Sequence, residues 1–233
     1  MVINLLELFD LSVTKNGDKI AIVDGTRTIS FNDLDKKSDI LSQKIHNIAE
    51  SVNRPVAVFL PKCIKAVIAN IAIMKSANIF MNLDVKTPGQ RLSNIVDLIE
   101  PVLIITDVKN VELINEVSGK IPILIIDDVN WEENINKETV KQQWSSVIDT
   151  DPFCIINTSG STGTPKGVVL NHLSFLDFIY RSHEAFNIGE NEIMGSLSPL
   201  VFDIYVLELC MLMYRSATIV LLPAHLSAFP VKI

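Results

Sequence analysis

Cysteine is scarce in this chain: of 233 residues only Cys63, Cys154 and Cys210 are cysteines, far apart and each set in apolar sequence. An odd number at such separations does not read as a disulfide scaffold, and metal-ligand spacing is absent. Reduced core thiols in a cytoplasmic protein are the expectation. Positive charge is short too, with 20 Lys and Arg against 27 Asp and Glu and a net charge of −7, which argues against a nucleic-acid surface. Long apolar runs are missing as well. Mean hydropathy is +0.33, yet the richest window, residues 200–214, carries Asp203 and Glu208, acids that would be costly at a bilayer centre. No membrane span is expected. The opening MVINLLELFD lacks a basic n-region, so no secretory signal is expected either.

What is present is an alternation of extended and helical patterns, in a chain long enough for one large or two small domains with an ample core. Residues 21–30, AIVDGTRTIS, predict a hairpin turning at Asp24 and Gly25. Residues 32–48 have helical periodicity at Leu34, Ile40, Leu41, Ile45 and Ile48. Residues 56–60 predict a strand, 63–77 a helix and 79–83 a strand. In 87–100, Thr87 is placed to cap a helix, with Pro88 at its first position and Gln90 completing a capping box. VLIIT and IPILII are continuous apolar runs, as in strands covered on both faces. Residues 131–151 are polar and irregular and predict a surface connection, anchored by its two tryptophans. The pattern resumes with FCIIN and GVVLN as strands, a helix over 172–186, strand-like IMGSL, a helix over 203–214 and strand-like TIVLL. This order predicts an α/β fold of layered, largely parallel sheets flanked by helices. Ligands in such folds collect beyond the carboxyl ends of strands.

TSGSTGTPKG, residues 158–167, sits at such an end, just after FCIIN. It contains no acid and no large apolar residue. Gly160, Gly163 and Gly167 permit positive φ and close approach by a ligand, and successive N–H groups in such a loop form a concave anion site. Thr158, Ser159, Ser161, Thr162 and Thr164 carry hydroxyls, Lys166 adds a mobile charge, and Pro165 restricts the backbone beside it. Many donors on one loop suit a polyphosphate better than a single carboxylate. Composition alone fits a flexible turn as well. A Walker loop does not fit, because Pro165 and not glycine precedes Lys166, and Gly167 follows it.

The order of these residues resembles the signature loop of the adenylate-forming superfamily, which includes acyl-CoA synthetases, luciferases and the adenylation domains of nonribosomal peptide synthetases. Three further stretches are similar to that family. RTISFNDLDKKSDILSQKI resembles its first core motif. MKSANIFMNLDVKTPGQRLSNIVDLIEP resembles its second, with Asn78 where the family has glycine and Asn82 where it has proline, while Leu83, Asp84, Pro88, Arg91 and Leu92 match. SPLVFDIYVLEL resembles the amino-acid-activating members in Phe202, Asp203 and Glu208, with Tyr205 in place of a serine.

The resemblance implies that residues 158–167 hold the β- and γ-phosphates of ATP while a carboxylate attacks the α-phosphorus. Lys166 is then the catalytic candidate, offsetting charge on the departing pyrophosphate. Asp203 would bind the substrate's α-ammonium group within an apolar pocket; the alternative is a plain helix N-cap. Phe202, Asp203, Ile204 and Leu207 form the substrate-binding set, Leu207 lying one helical turn beyond Asp203. Apolar Ile204 and Leu207 favour a small or apolar amino acid. His172 is expected to fix the start of its helix, and Glu208 to be a satisfied structural carboxylate.

The resemblance further implies ATP with Mg²⁺, whose protein ligand is expected outside this chain, and an amino acid as substrate. The partner would be a carrier protein whose phosphopantetheine thiol takes the aminoacyl group. An acyl- or aryl-CoA ligase is the nearest alternative, and a non-catalytic remnant acting as a binding partner is another. Stretches that the family uses for adenine, ribose and the later catalytic lysine are not found in residues 1–233. The chain is therefore expected to be a partial N-terminal domain without the C-terminal subdomain, inactive by itself.

Overall fold

A computed structural model describes residues 2–159, 165–190, 192–223 and 226. The chain opens with α1 (Leu5–Asn16), capped by Asn4, whose side-chain oxygen accepts from the Leu6 and Glu7 N–H groups. A hairpin follows, β1 (Ile20–Asp24) and β2 (Arg27–Ser30), with Gly25 at φ 61° in the turn, as the Asp-Gly pair predicts. Ser30 caps α2 (Phe31–Ala49) by accepting from the Asp33 N–H. Next come β3 (Pro55–Phe59), α3 (Ile64–Lys75), β4 (Ile79–Asn82), α4 (Gly89–Ile99), β5 (Leu103–Thr106), α5 (Val111–Ser118), β6 (Ile123–Ile125) and α6 (Lys137–Ser145). The remainder is β7 (Pro152–Ser159), β8 (Pro165–Asn171), α7 (His172–Phe186), β9 (Ile193–Ser196), α8 (Asp203–Arg215) and β10 (Thr218–Leu221). Among the described residues, no helix is long and apolar enough to cross a membrane.

The strands form two sheets. One has six strands in the order β6-β5-β3-β4-β7-β8, parallel throughout except for the β7–β8 pair. The other has four in the order β2-β1-β10-β9, antiparallel only between β1 and β2. Both are thus largely parallel, and each antiparallel pair is a local hairpin at a sheet edge. Strand alternation then divides the core. Val56 and Val58 of β3 join a large cluster with Ile22, Ile219, Tyr205 and the inner faces of α1, α2, α3 and α8. Ala57 and Phe59 point the other way, into a smaller cluster closed by Leu92, Ile95 and Val96 of α4 and Ile114 of α5. Helix α3 is buried on all sides from Ala66 to Lys75, as a helix apolar around its whole circumference must be. Its one buried cation, Lys75, is held by Asp35 at 2.6 Å and Asp39 at 2.5 Å.

Three local expectations need correction. Thr87 caps nothing: its N–H donates to the Asp84 carbonyl at 2.9 Å, and the turn this closes passes the N-cap position on to Pro88, which has no side-chain hydrogen bond to give. Gln90 donates instead to Asn94 along the same helix. IPILII is not a strand covered on both faces. Strand β6 is an edge strand, and of its three residues only Leu124 is buried. Residues 131–151 are not irregular throughout, since they contain α6, capped by Asn136 and packed inward through Val140 and Trp144. The packing role of the tryptophans does hold, with Trp144 in the large core cluster and Trp131 against it.

Candidate functional site

The expected phosphate loop is shorter than its motif. Strands β7 and β8 pair antiparallel through Asn157–Gly167, Thr158–Lys166 and Ser159–Pro165. Thr158, Ser159, Lys166 and Gly167 therefore lie on the ladder rather than on a free loop. Gly160, Ser161, Thr162, Gly163 and Thr164 lie outside the described residues. The hairpin tip does leave from the carboxyl end of β7, parallel to β4, as the position rule requires. A hairpin and not a strand–helix turn follows, however. Helix α7 begins only after β8, so its N-terminus does not follow directly on the end of β7.

Lys166 is exposed and forms no ion pair with the described residues. The Thr158 hydroxyl reaches the Lys166 carbonyl only at 3.5 Å, a long bond that leaves it free to turn. Gly167 needs a different account from the one expected. Its φ is not in the left-handed region, and the close approach is made by the protein itself. A Cβ there would lie 2.7 Å from Ile99 Cδ1 and 3.0 Å from Ile155 Cγ2. Gly167 is what lets the end of α4 pack against the hairpin.

The second half of the site is the start of α8. The N-cap position belongs to Phe202, and Asp203 is the first helical residue, its Oδ1 accepting from the Ile204 N–H at 2.9 Å. A carboxylate there is favoured by the helix dipole. Phe202, Asp203 and Ile204 are exposed and Leu207 is half-buried. The expectation that Asp203 sits within an apolar pocket is corrected accordingly: among the described residues it has exposed apolar neighbours but no enclosing wall. Tyr205, in place of the family's serine, points to the opposite side. It is fully buried, with Oη accepting from Asn70 Nδ2 at 2.9 Å, and burial pushes its phenol far above the usual range.

Glu208, expected to be satisfied, is not. It is 5% exposed, and neither its Oε2 nor the buried Ser196 hydroxyl beside it has a well-formed partner among the described residues. Burial pushes its carboxyl up, opposed by Ser196 and by the positive charge of Lys62. His172 does not cap its own helix, because Asn171 does, accepting from the Ser174 N–H at 2.9 Å. It serves α1 instead: Nδ1 accepts from the Leu5 N–H at 3.2 Å, satisfying one of that helix's orphan donors. The ring is 2% exposed, and burial, opposed weakly by Asp151, holds its pKa down to about 4.

A cleft lies beside both segments, although neither Lys166 nor Asp203 lines it. A space of about 310 Å³ is lined by Asn157 at the base of the phosphate hairpin, Val201 just before α8, and Asn82, Lys86 and Arg91 from the β4–α4 region. Lys62 and Asn82 have roles here that no motif of the sequence points to. Lys62 Nζ donates to the Ser196 and Ser198 carbonyls, and Asn82 Nδ2 to that of Leu200. A polar residue closing the apolar run IFMNL was the available signal. Among the described residues, no cluster of His, Cys, Asp or Glu suits a metal ion.

A family model described as AMP-binding enzyme matches residues 9–232. The chain is 27% identical over 220 residues to a dimodular nonribosomal peptide synthase of Bacillus subtilis (strain 168), covering 94% of this chain and 9% of that protein. It is likewise 27% identical over 213 residues to D-lysergyl-peptide-synthetase subunit 1 of Claviceps purpurea (strain 20.1), covering 91% of this chain and 6% of that protein. The chain therefore spans less than a tenth of the length of these relatives. Among solved structures, the nonribosomal peptide synthetase FmoA3 in its alpha-methyl-L-serine-AMP bound form superposes with a TM-score of 0.82 at 19% identity, over 95% of this chain and 24% of that one. At that identity the likeness shows the fold.

Proposed function

The chain belongs to the AMP-binding enzyme family, and on that premise we propose that the polypeptide containing it activates an amino acid at the expense of ATP. The substrate carboxylate oxygen attacks the α-phosphorus, the bond from that phosphorus to the bridging oxygen of the β-phosphate breaks, and pyrophosphate leaves with the electron pair. Aminoacyl-AMP is the other product, and a carrier-protein phosphopantetheine thiol then takes the aminoacyl group. The observation that carries this reading is the family match over residues 9–232, and a cleft lined by Asn157 and Val201 lies beside the two candidate segments. Relatives named as peptide synthetases support it.

In this reading Lys166 and the donors of residues 158–167 hold the β- and γ-phosphates, and Lys166 offsets the charge that grows on pyrophosphate. Asp203 pairs with the α-ammonium group and so orients the carboxylate toward phosphorus. Ile204 and Leu207 beside it favour a small or apolar side chain. Mg²⁺ would accompany the triphosphate, and when bound it would neutralise phosphate charge. Residues 1–233 would form part of the large N-terminal domain. The three thiols, two of them buried, favour the cytoplasm.

The test is amino-acid-dependent ATP–pyrophosphate exchange in the full-length protein. Asp203→Asn is expected to lower exchange by about two orders of magnitude, the loss of a charge-assisted pair in a ligand-closed site, with ATP binding retained. Undiminished exchange in the variant would remove Asp203 from ammonium binding. A parent protein that exchanges with aryl or fatty acids but not with amino acids would transfer the assignment to an acyl- or aryl-CoA ligase.

A further inference from the structure

Residues 197–202 carry the chain from β9 into α8 and have no regular structure of their own. Three alternate carbonyls at this junction are taken by two side chains from elsewhere. Lys62 Nζ donates to the Ser196 carbonyl at 2.7 Å and to that of Ser198 at 3.2 Å. Asn82 Nδ2 donates to the Leu200 carbonyl at 3.1 Å. Both donors belong to the six-stranded sheet, Lys62 on the β3–α3 connection and Asn82 at the last position of β4, whereas β9 lies in the four-stranded sheet. The contacts therefore tie one sheet to the other at the point where Asp203 emerges. Beyond Leu200, the Phe202 N–H closes a turn onto the Pro199 carbonyl at 3.2 Å, so a tie at Leu200 reaches Phe202 and Asp203 through one short rigid unit.

Leu200 is packed into the large core cluster, and the segment borders a space of about 150 Å³ lined by Lys62, Leu83, Leu197, Pro199 and Leu200. Glu208 on α8 adds a favourable charge to Lys62 without forming an ion pair with it among the described residues. Asn82 is 5% exposed, and its Oδ1 finds no donor among the described residues; the bond to Leu200 is what its amide contributes. A proline, which the resemblance puts at this position, has no amide to make it.

We infer that Lys62 and Asn82 are positioning residues that clamp residues 196–202 across the two sheets and so present Asp203 to the amino-acid substrate in one orientation. This rests on the reading of Asp203 as the ammonium partner. The clamp raises the fraction of molecules with α8 started correctly, and a ligand's apparent affinity scales with that fraction.

The experiment measures KM for the amino acid and for ATP separately in the full-length protein. Asn82→Ala and Asn82→Pro are each expected to raise the amino-acid KM about fivefold, and Lys62→Met about twentyfold, with the KM for ATP and kcat within about twofold of the parent. Lys62→Arg is expected to restore most of the loss. Equal losses toward both substrates, or no change toward either while Asp203→Asn abolishes amino-acid use, would overturn the clamp. If Asp203→Asn is without effect, the Asp203 reading is what fails, and amide hydrogen exchange in the 233-residue chain decides the clamp separately. Exchange of residues 197–203 at least about tenfold faster in Asn82→Ala and Lys62→Met, with β3 and β4 unchanged, sustains it; unaltered exchange there overturns it.

Discussion

The two halves of the candidate site are built in opposite ways. At the phosphate hairpin the polar groups are exposed: Lys166 has no ion pair among the described residues and Thr158 makes only a 3.5 Å contact. What is fixed is the backbone ladder below, from Asn157–Gly167 to Ser159–Pro165. At the start of α8 the polar groups that matter structurally are half-buried Lys62 and buried Asn82 and Asn70, which reach across the molecule, and buried Glu208. The difference suits the proposed division of labour. Charge on a triphosphate moves as its bond breaks, so an exposed lysine would serve it. An ammonium group must be met at one place, which a helix with a buried inner face would provide. Substitution of a buried group behind α8, such as Tyr205, should therefore act mainly on stability, and substitution of Lys166 mainly on chemistry.

The largest effect should come from Tyr205. Removing its ring from a fully buried position leaves a cavity and strands Asn70 Nδ2. Tyr205→Ala is expected to cost about 4 kcal/mol, read from urea midpoints, and Tyr205→Phe about 1–2 kcal/mol, because only the hydrogen bond is lost. A loss below about 1 kcal/mol for the alanine variant would mean that the helix is not anchored from within.

The next effect belongs to His172, which supports α1 rather than either half of the site and so gives a reference for whole-chain stability. Its pKa is held near 4 in the folded chain against 6.5 when free. Between those values the unfolded chain binds more protons, so stability rises with pH across this window, is present in full above about 6.5 and is lost as pH falls toward 4. The full difference is about 3 kcal/mol, of which about 2 kcal/mol should be gone at pH 5. His172→Gln should remove this component of the pH dependence, seen by comparing parent and variant urea midpoints at pH 7.5 and pH 5.

Gly167 sits where the two designs meet, in the motif but touching the core. Gly167→Ala should cost about 1–3 kcal/mol, because its Cβ meets Ile99 Cδ1 at 2.7 Å. Ile99→Val should recover part of that loss in the double variant, a coupling that a glycine kept for a ligand's approach would not show.

These cases also show why some features were legible in the sequence and others were not. Helix α7 was bounded correctly at both ends because its cues are local, an apolar period closed at Asn187 in the left-handed conformation. The Asp24-Gly25 hairpin was legible for the same reason. Helices α5 and α6 were not, since each buries only two residues, too few to stand out as a period. The order of residues 158–167 pointed to the phosphate hairpin, but not to Gly167's partner Ile99, which lies on another element. His172 meets Leu5 from 167 positions away, Lys62 meets Ser196 from 134, and Asn82 meets Leu200 from 118. Such contacts exist only after the sheets have formed, and no window of sequence contains both partners. Elements and motifs carried by one contiguous segment are therefore readable, and the buried groups that hold them in place are not.

The smallest effect on stability is expected at Lys166, and it is the sharpest test of the contrast. The side chain is exposed and forms no ion pair with the described residues, so Lys166→Met should shift the urea midpoint by no more than about 0.5 kcal/mol equivalent. In the full-length protein the same change should lower kcat for ATP–pyrophosphate exchange by about two orders of magnitude, the usual scale for removing one charge that meets a developing anion, while the amino-acid KM stays near that of the parent. Asn82→Ala should give the reverse pattern, with kcat kept and the amino-acid KM raised. If Lys166→Met instead raised the amino-acid KM and spared kcat, the hairpin would be serving the substrate's carboxylate and not the leaving pyrophosphate, and the division of labour between the two halves would have to be redrawn.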